Sequence, residues 1–367
     1  MKLPVLTSAL LALCFSASAL YANPPKNDSI DIKIGQMIMV GINDRTQVTG
    51  NDVLLDEIRA GKLGGIILFE KNIAKTDSKN QLKTMIAAMK SAAPVPLLVS
   101  IDEEGGRVHR LKEKYGFVPM PSASYLGRLD NADSTLFYNR QLAAELKDLG
   151  VNFNYAPSLD LAINPENTVI VKRERSFSAD PEVVSRQALL CIQAHRENNV
   201  KTILKHFPGH GSSAGDSHVG IVDVSSTWDF KELFPYYTVL KSGTCDAIMT
   251  AHIINRSWDT TYLPATLSPR VVTGILRGLL GFKGVIFSDD MQMHAISKNY
   301  GFARSIEMAI NAGVDIVMFG NNVDPKDKPV TASEVHKTIK KLVRSKKISR
   351  ARINEAYVRI MRMKQTS

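Results

Sequence analysis

Cysteine is scarce in this chain, with three in 367 residues, and one of those, Cys14, lies in the first apolar segment. Cys191 and Cys245 can make one bridge at most, which excludes a disulfide-dense scaffold and leaves an apolar core to hold the fold. Beyond the N-terminus no run approaches the roughly 20 apolar residues that a membrane-spanning helix needs. Proline- or serine-rich linkers and low-complexity stretches are absent, so a single domain is expected. Neither GxxxxGK[ST] nor a GxGxxG turn after the first apolar run occurs, which argues against a phosphate-cradling loop and a dinucleotide site. No nucleic-acid recognition motif accompanies the basic charge, and nucleic acid is not an expected partner.

The chain opens with MKLPVLTSALLALCFSASALYA: one early lysine, an apolar stretch, then small residues. That is the pattern of a secretory signal peptide over residues 1–22, with cleavage near Ala19 or Ala22. Leu13 precedes Cys14 where a lipoprotein signal carries Gly or Ala, so the expectation is cleavage and release rather than a lipid anchor. An uncleaved anchor is the alternative. A periplasmic or secreted location follows from the cleaved reading, with no stable membrane insertion afterwards.

The formal charge is +10, much of it in KTIKKLVRSKKISRARINEAYVRIMRMK, residues 337–364. Ile339, Leu342 and Val343, then Ile353, Ala356, Tyr357 and Ile360, recur at helical spacing. The pattern predicts two surface helices with solvated basic faces; weak attraction to an anionic polymer or membrane surface is the functional alternative.

Eight short apolar runs punctuate the remainder: 34–42, 64–69, 96–102, 151–161, 202–207, 246–252, 284–290 and 315–320. Runs this short and rich in Ile, Val and Leu suit strands buried on both faces. Between them lie segments of helical spacing, such as SKNQLKTMIAAMKSA (78–92) and PEVVSRQALLCIQAHRENN (181–199). Alternation of this kind predicts an α/β fold, a single (β/α)₈ TIM-type barrel over residues 23–367. Functional groups then belong at the C-terminal ends of the strands, where Asp102, Asp160, Lys205, His206, His252 and Asp289 fall.

Three constellations carry chemistry. IDEEGGRVHRL (101–111) sets Asp102 at a strand end, followed by two glycines, Arg107 and Arg110. A carboxylate and a guanidinium side by side grip neighbouring sugar hydroxyls, or form a structural ion pair. FSDDM (287–291) ends a strand in adjacent carboxylates, and successive strand residues point in opposite directions. One of the two faces the barrel mouth as a nucleophile or base; the other is held in the wall.

KHFPGHGSSAGDSH (205–218) crowds three histidines, a lysine and an aspartate around glycines. As a metal site it would use His206, His210, Asp216 and His218, but zinc ligands usually stand on firm elements and Lys205 opposes a cation. As a proton-delivery arm it would use Asp216 and His218 as a dyad. An imidazole with an ordinary pKa of about 6.5 gives and takes protons near neutrality, and a carboxylate orients it.

Taken together and in this order, KHFPGHG followed by DSH, D-x-EGGRV-x-R and GFKGVIFSDDM resemble glycoside hydrolase family 3, in its single-domain bacterial β-N-acetylglucosaminidase branch. The similarity runs from IGQMIMVG to the terminal RINEAYVRIMRMK. ERSFS (174–178) resembles the family's NRSFG, with Glu174 in place of Asn. The resemblance implies Asp289 as nucleophile, His218 as acid/base and Asp216 as its partner. It implies a terminal-sugar pocket of Asp102, Arg110, Arg175, Lys205 and His206, with His252 beside it and Asp290 structural. The implied reaction is a retaining removal of terminal β-linked N-acetylglucosamine from peptidoglycan fragments (muropeptides) or chitooligosaccharides. A family β-glucosidase or β-xylosidase, a phosphorylase and a non-catalytic glycan-binding protein are the alternatives. No metal or organic cofactor and a monomeric chain are expected.

Overall fold

The computed structural model describes residues 29–322 and 328–365. The leader expected over residues 1–22 lies outside them. Eight parallel strands form a closed barrel in chain order: Ile38–Gly41 (β1), Gly65–Leu68 (β2), Leu98–Ile101 (β3), Phe153–Asn154 (β4), Lys201–Phe207 (β5), Ala247–Thr250 (β6), Val285–Asp290 (β7) and Ile316–Phe319 (β8). β1 pairs with β8, Val40 opposite Phe319, and this contact closes the cylinder.

Each expected run contributes a strand, for a physical reason. A strand enclosed by helices outside and side chains inside has no polar face, so it reads as a continuous apolar run. Every residue of the barrel strands is buried except Asp289 and Asp290 at the end of β7. β4 is shorter than its run, 151–161. Pro157 has no N–H to give the ladder, and the chain leaves the sheet to form a buried loop that ends in Asp160.

The barrel interior is packed. The Tyr155 hydroxyl donates to the Met39 sulfur at 2.7 Å, and its ring meets Phe287 edge-on at 6.0 Å. Lys205 stands above them, its Nζ 6.0 Å from the Tyr155 ring centre. Below, Lys364 of the last helix, Arg350–Gln365, donates to the Gly64 and Pro96 carbonyls at 3.0 and 2.6 Å, filling the N-terminal end of the barrel.

The outer helices start where local chemistry dictates. In Pro181–Glu197 the Asp180 side chain accepts the Glu182 amide and proline occupies the first turn, where an N–H would lack a partner anyway. Ala332–Arg344 opens with a capping box between Thr331 and Glu334. That helix and Arg350–Gln365 are the two expected from the basic C-terminal segment, with Ile339, Leu342, Ile353 and Ile360 buried beneath their charged faces. Cys191 and Cys245 are both free. A two-stranded sheet, Val222–Asp223 with Ile253–Ile254, joins the loops after β5 and β6 and has no counterpart in the sequence reading.

Candidate active site

At the C-terminal ends of the strands a cavity of about 340 Å³ opens, and Asp102, Arg110, Arg175, Lys205, His206 and Asp289 all line it together with Asp216 and His218. Its floor is a lattice of charges. Lys205 Nζ lies 2.5 Å from Asp102 Oδ1 and 2.6 Å from Glu104 Oε1. Arg175 grips the same Glu104 with two parallel bonds, Nε to Oε2 at 2.8 Å and Nη2 to Oε1 at 2.7 Å. Arg110 approaches Asp102 Oδ2 at 3.6 Å. Three cations thus face two carboxylates. Burial pushes both carboxyls up, but Lys205 and Arg110 hold Asp102 below the usual range, and Arg175 and Lys205 do so for Glu104.

Glu104 is a residue that the sequence reading missed. The signal was present: it stands two places after Asp102, and Lys205 reaches both carboxylates. Glu103 points the other way, fully buried, where its carboxylate accepts the Arg110 and Leu111 amides at 2.6 and 2.7 Å. It therefore folds the Gly105-Gly106 turn back and brings Arg110 over the cavity.

His206 is fixed at both nitrogens. Nδ1 is 2.6 Å from Asp160 Oδ2, and Nε2 is 3.2 Å from Arg175 Nη2. A guanidinium only donates, so Nε2 is the acceptor and Nδ1–H donates to Asp160. Asp160 also accepts the His210 amide at 2.7 Å, which ties the end of β5 to the β4 loop.

The two carboxylates that end β7 have separate environments. Asp290 is bound by the Gln292 amide at 2.9 Å and packs against Gly320, where a Cβ would sit 2.5 Å from Asp290 Oδ2. Burial pushes its carboxyl up to about 6. Asp289 accepts the adjacent Asp290 amide at 2.8 Å. Burial raises its carboxyl as well, but His252, His206 and His218 together pull it below its ordinary value.

His252 is placed differently from the other expected pocket residues. It does not line the cavity but lies behind the wall, 1% exposed, with Nε2 donating to the Asp290 carbonyl at 3.0 Å and Nδ1 2.8 Å from the Thr266 hydroxyl. A histidine just after a strand can face either side, and here the buried carbonyl and hydroxyl claim both nitrogens.

The glycine-rich loop divides into a firm stem and an exposed tip. His210, Ser212 and Ser213 are buried. Asn167 Nδ2 donates to the His210 carbonyl at 2.8 Å, Asn164 Nδ2 to that of Ser213 at 3.0 Å, and Gly211 N to Glu232 Oε2 at 2.8 Å. Gly211 lacks a side chain because a Cβ would lie 1.8 Å from the Leu161 carbonyl oxygen. Close approach, not mobility, requires glycine there. At the tip His218 is 64% exposed, its Nδ1 2.7 Å from Asp216 Oδ1, and the same oxygen accepts the His218 amide at 2.9 Å. With Nδ1 engaged, Nε2 is the nitrogen left for exchange.

The residues of the metal reading do not converge. His206 faces Asp160 and Arg175, and His210 Nδ1 meets the Ser213 hydroxyl at 2.7 Å. Among the described residues no group of three or more His, Cys, Asp or Glu side chains is placed to hold a metal ion.

The model of the glycosyl hydrolase family 3 N terminal domain matches residues 29–363. A β-hexosaminidase of Tolumonas auensis is 35% identical over 268 residues, 72% of this chain and 78% of that protein. Among solved structures, a glycoside hydrolase family 3 β-N-acetylglucosaminidase from Paenibacillus sp. superposes with a TM-score of 0.84 at 33% identity, covering 92% of this chain. This chain spans 62% of that protein, less than two thirds of its length. A β-N-acetylhexosaminidase from Beutenbergia cavernae gives 0.82 at 28% identity, covering 92% of this chain and 98% of that one.

Proposed function

Because this chain belongs to glycosyl hydrolase family 3, we propose that it is a retaining exo-β-N-acetylglucosaminidase working through a covalent glycosyl-aspartate. One observation carries the reading: Asp289, held ionised and, among the described residues, bound by a neighbouring amide, lines the same cavity as the oriented Asp216–His218 dyad.

In the proposed cycle Asp289 attacks the anomeric carbon of the terminal sugar while His218 Nε2 protonates the departing glycosidic oxygen. Water, deprotonated by the same imidazole, then cleaves the ester to Asp289 and releases the sugar with its original anomeric configuration. Asp216 keeps the ring in place and stabilises its protonated form. A neutral imidazole in the acid/base position adds no negative charge beside Asp289 between proton transfers, as a second carboxylate would. Asp102, Arg110, Arg175, Lys205 and His206 hold the sugar: Asp102 as an acceptor, the cations as donors, fixed by Glu104 and Asp160 before substrate arrives.

Arg107 and Arg173 also line the cavity and are exposed. Their charge supports an aglycone bearing carboxylates, as peptidoglycan fragments do, over neutral chitooligosaccharides. The leader-like segment, residues 1–22, supports action in the periplasm or outside the cell. Among the described residues no helix is long and apolar enough to cross a membrane.

The test is the purified chain on p-nitrophenyl β-N-acetylglucosaminide and on the β-glucoside, with chelator present, beside Asp289→Ala and His218→Ala. We expect turnover of the N-acetyl substrate alone, indifferent to chelator and lost in Asp289→Ala. Preference for the glucoside would move the chain to the glucosidase branch, and loss on chelation would restore a metal site.

A further inference from the structure

We propose that Glu232 is a positioning residue for the reaction: its buried carboxylate fastens the stem of the catalytic loop and so sets where Asp216 and His218 stand relative to Asp289. The proposal rests on the reading of His218 as proton donor. Glu232 belongs to the short helix Phe230–Leu233 that follows the loop, and it is fully buried. Its Oε2 accepts the Gly211 amide at 2.8 Å. Gly209, at φ 120°, passes so close that a Cβ there would sit 2.6 Å from Glu232 Cβ and 2.8 Å from Oε2. The loop backbone is therefore moulded onto this one side chain from below.

Among the described residues, Glu232 is the carboxylate that holds the stem from beneath. From the side, Asp160, Asn164 and Asn167 hold it from the β4 loop. The stem hands its position on. His210 meets Ser213 at 2.7 Å through Nδ1 and Ser217 at 3.4 Å through Nε2, and Ser217 lies between the two members of the dyad. Glu232 touches no part of the cavity itself.

A buried acid has a cost that a structural glutamine or leucine would avoid. Burial pushes the Glu232 carboxyl up to about 7, with a further push from Asp160, against the pull of the Ser212 hydroxyl and the Gly211 and Ser212 amides. Tyr236, from the following helix, also feels it. A carboxyl kept in a buried place at that cost, with its oxygen on a loop amide, fits an element whose position matters to the chemistry.

Two N-acetylglucosaminides with the same sugar separate positioning from mere support. The 2,4-dinitrophenyl glycoside leaves with little protonation, whereas N,N′-diacetylchitobiose needs the proton donor. kcat/KM for both is measured on the full chain and on Glu232→Ala, Glu232→Gln and His218→Ala. Glu232→Ala is expected to lose about 30-fold on the disaccharide and only about 3-fold on the dinitrophenyl glycoside, part of what general acid catalysis supplies. Glu232→Gln, which keeps an oxygen for Gly211, should recover most of the loss while preserving its direction. Equal losses on both substrates, or none in either variant, would overturn the proposal. Should Glu232→Ala fail to fold, Glu232→Leu, which fills the space but offers Gly211 no acceptor, takes its place: a wild-type ratio between the substrates refutes the proposal. If His218→Ala shows no dependence on leaving group, the proton-donor reading itself fails, and that arm identifies the failure as its own.

Discussion

Glu104 braces two cations of the cavity floor from behind. It binds Arg175 through two bonds and Lys205 through a third, and its side chain is 3% exposed. Glu104→Gln would leave two buried cations short of a counter-charge, a loss of about 3–5 kcal/mol for a broken buried pair. We expect a urea midpoint lowered accordingly and a sharp fall in kcat/KM on the aryl N-acetylglucosaminide. A midpoint equal to wild type would refute the lattice. Arg175→Lys is expected to cost activity as well, since an ammonium cannot span both Glu104 oxygens while reaching His206.

At the scale of elements, the turn after β4 contains a testable strain. Glu174 adopts φ 56°, the left-handed region that costs an ordinary residue about 1–2 kcal/mol and that asparagine enters more readily. The family segment it resembles carries asparagine here. Glu174→Asn is therefore expected to stabilise the chain by up to about 1 kcal/mol without changing activity, read from urea unfolding; a destabilised variant would show that the Glu174 side chain itself holds this turn.

Strands and helices were legible because their burial writes a period into the sequence: continuous apolar runs for β1 to β8, helical spacing between. What escaped was set by backbone partners. Glu232 meets a loop amide, which has no residue type to announce it. The setting of His252 escaped as well, because a strand-end histidine can point either way, and the Asp290 carbonyl and Thr266 hydroxyl that it meets come from distant segments. The glycines at 209 and 211 do not announce their partners either: they mark close packing against Glu232 and Leu161.

Across the whole molecule, the barrel separates chemistry at one end from stability at the other. Lys364 plugs the stable end, bonded to neutral oxygens of Gln36, Gly64 and Pro96. Burial lowers its pKa from 10.5 to about 7. Between those values the unfolded chain holds a proton that the folded chain has shed, so this group makes stability rise with pH, by at most about 1.4 kcal/mol per unit. Below the folded value the cost is present in full. Lys364→Met should flatten this rise between pH 7.5 and 9.5 in urea unfolding; an unchanged slope would show that the folded lysine stays charged.

The proposed double displacement requires a covalent bond between enzyme and sugar. A fluorinated N-acetylglucosaminide with a good leaving group, whose fluorine slows release more than attachment, should trap it. Intact mass spectrometry and peptide mapping are predicted to show one sugar per chain, esterified to Asp289 and absent from Asp289→Ala. Turnover with no adduct, or an adduct on another residue, would contradict the mechanism.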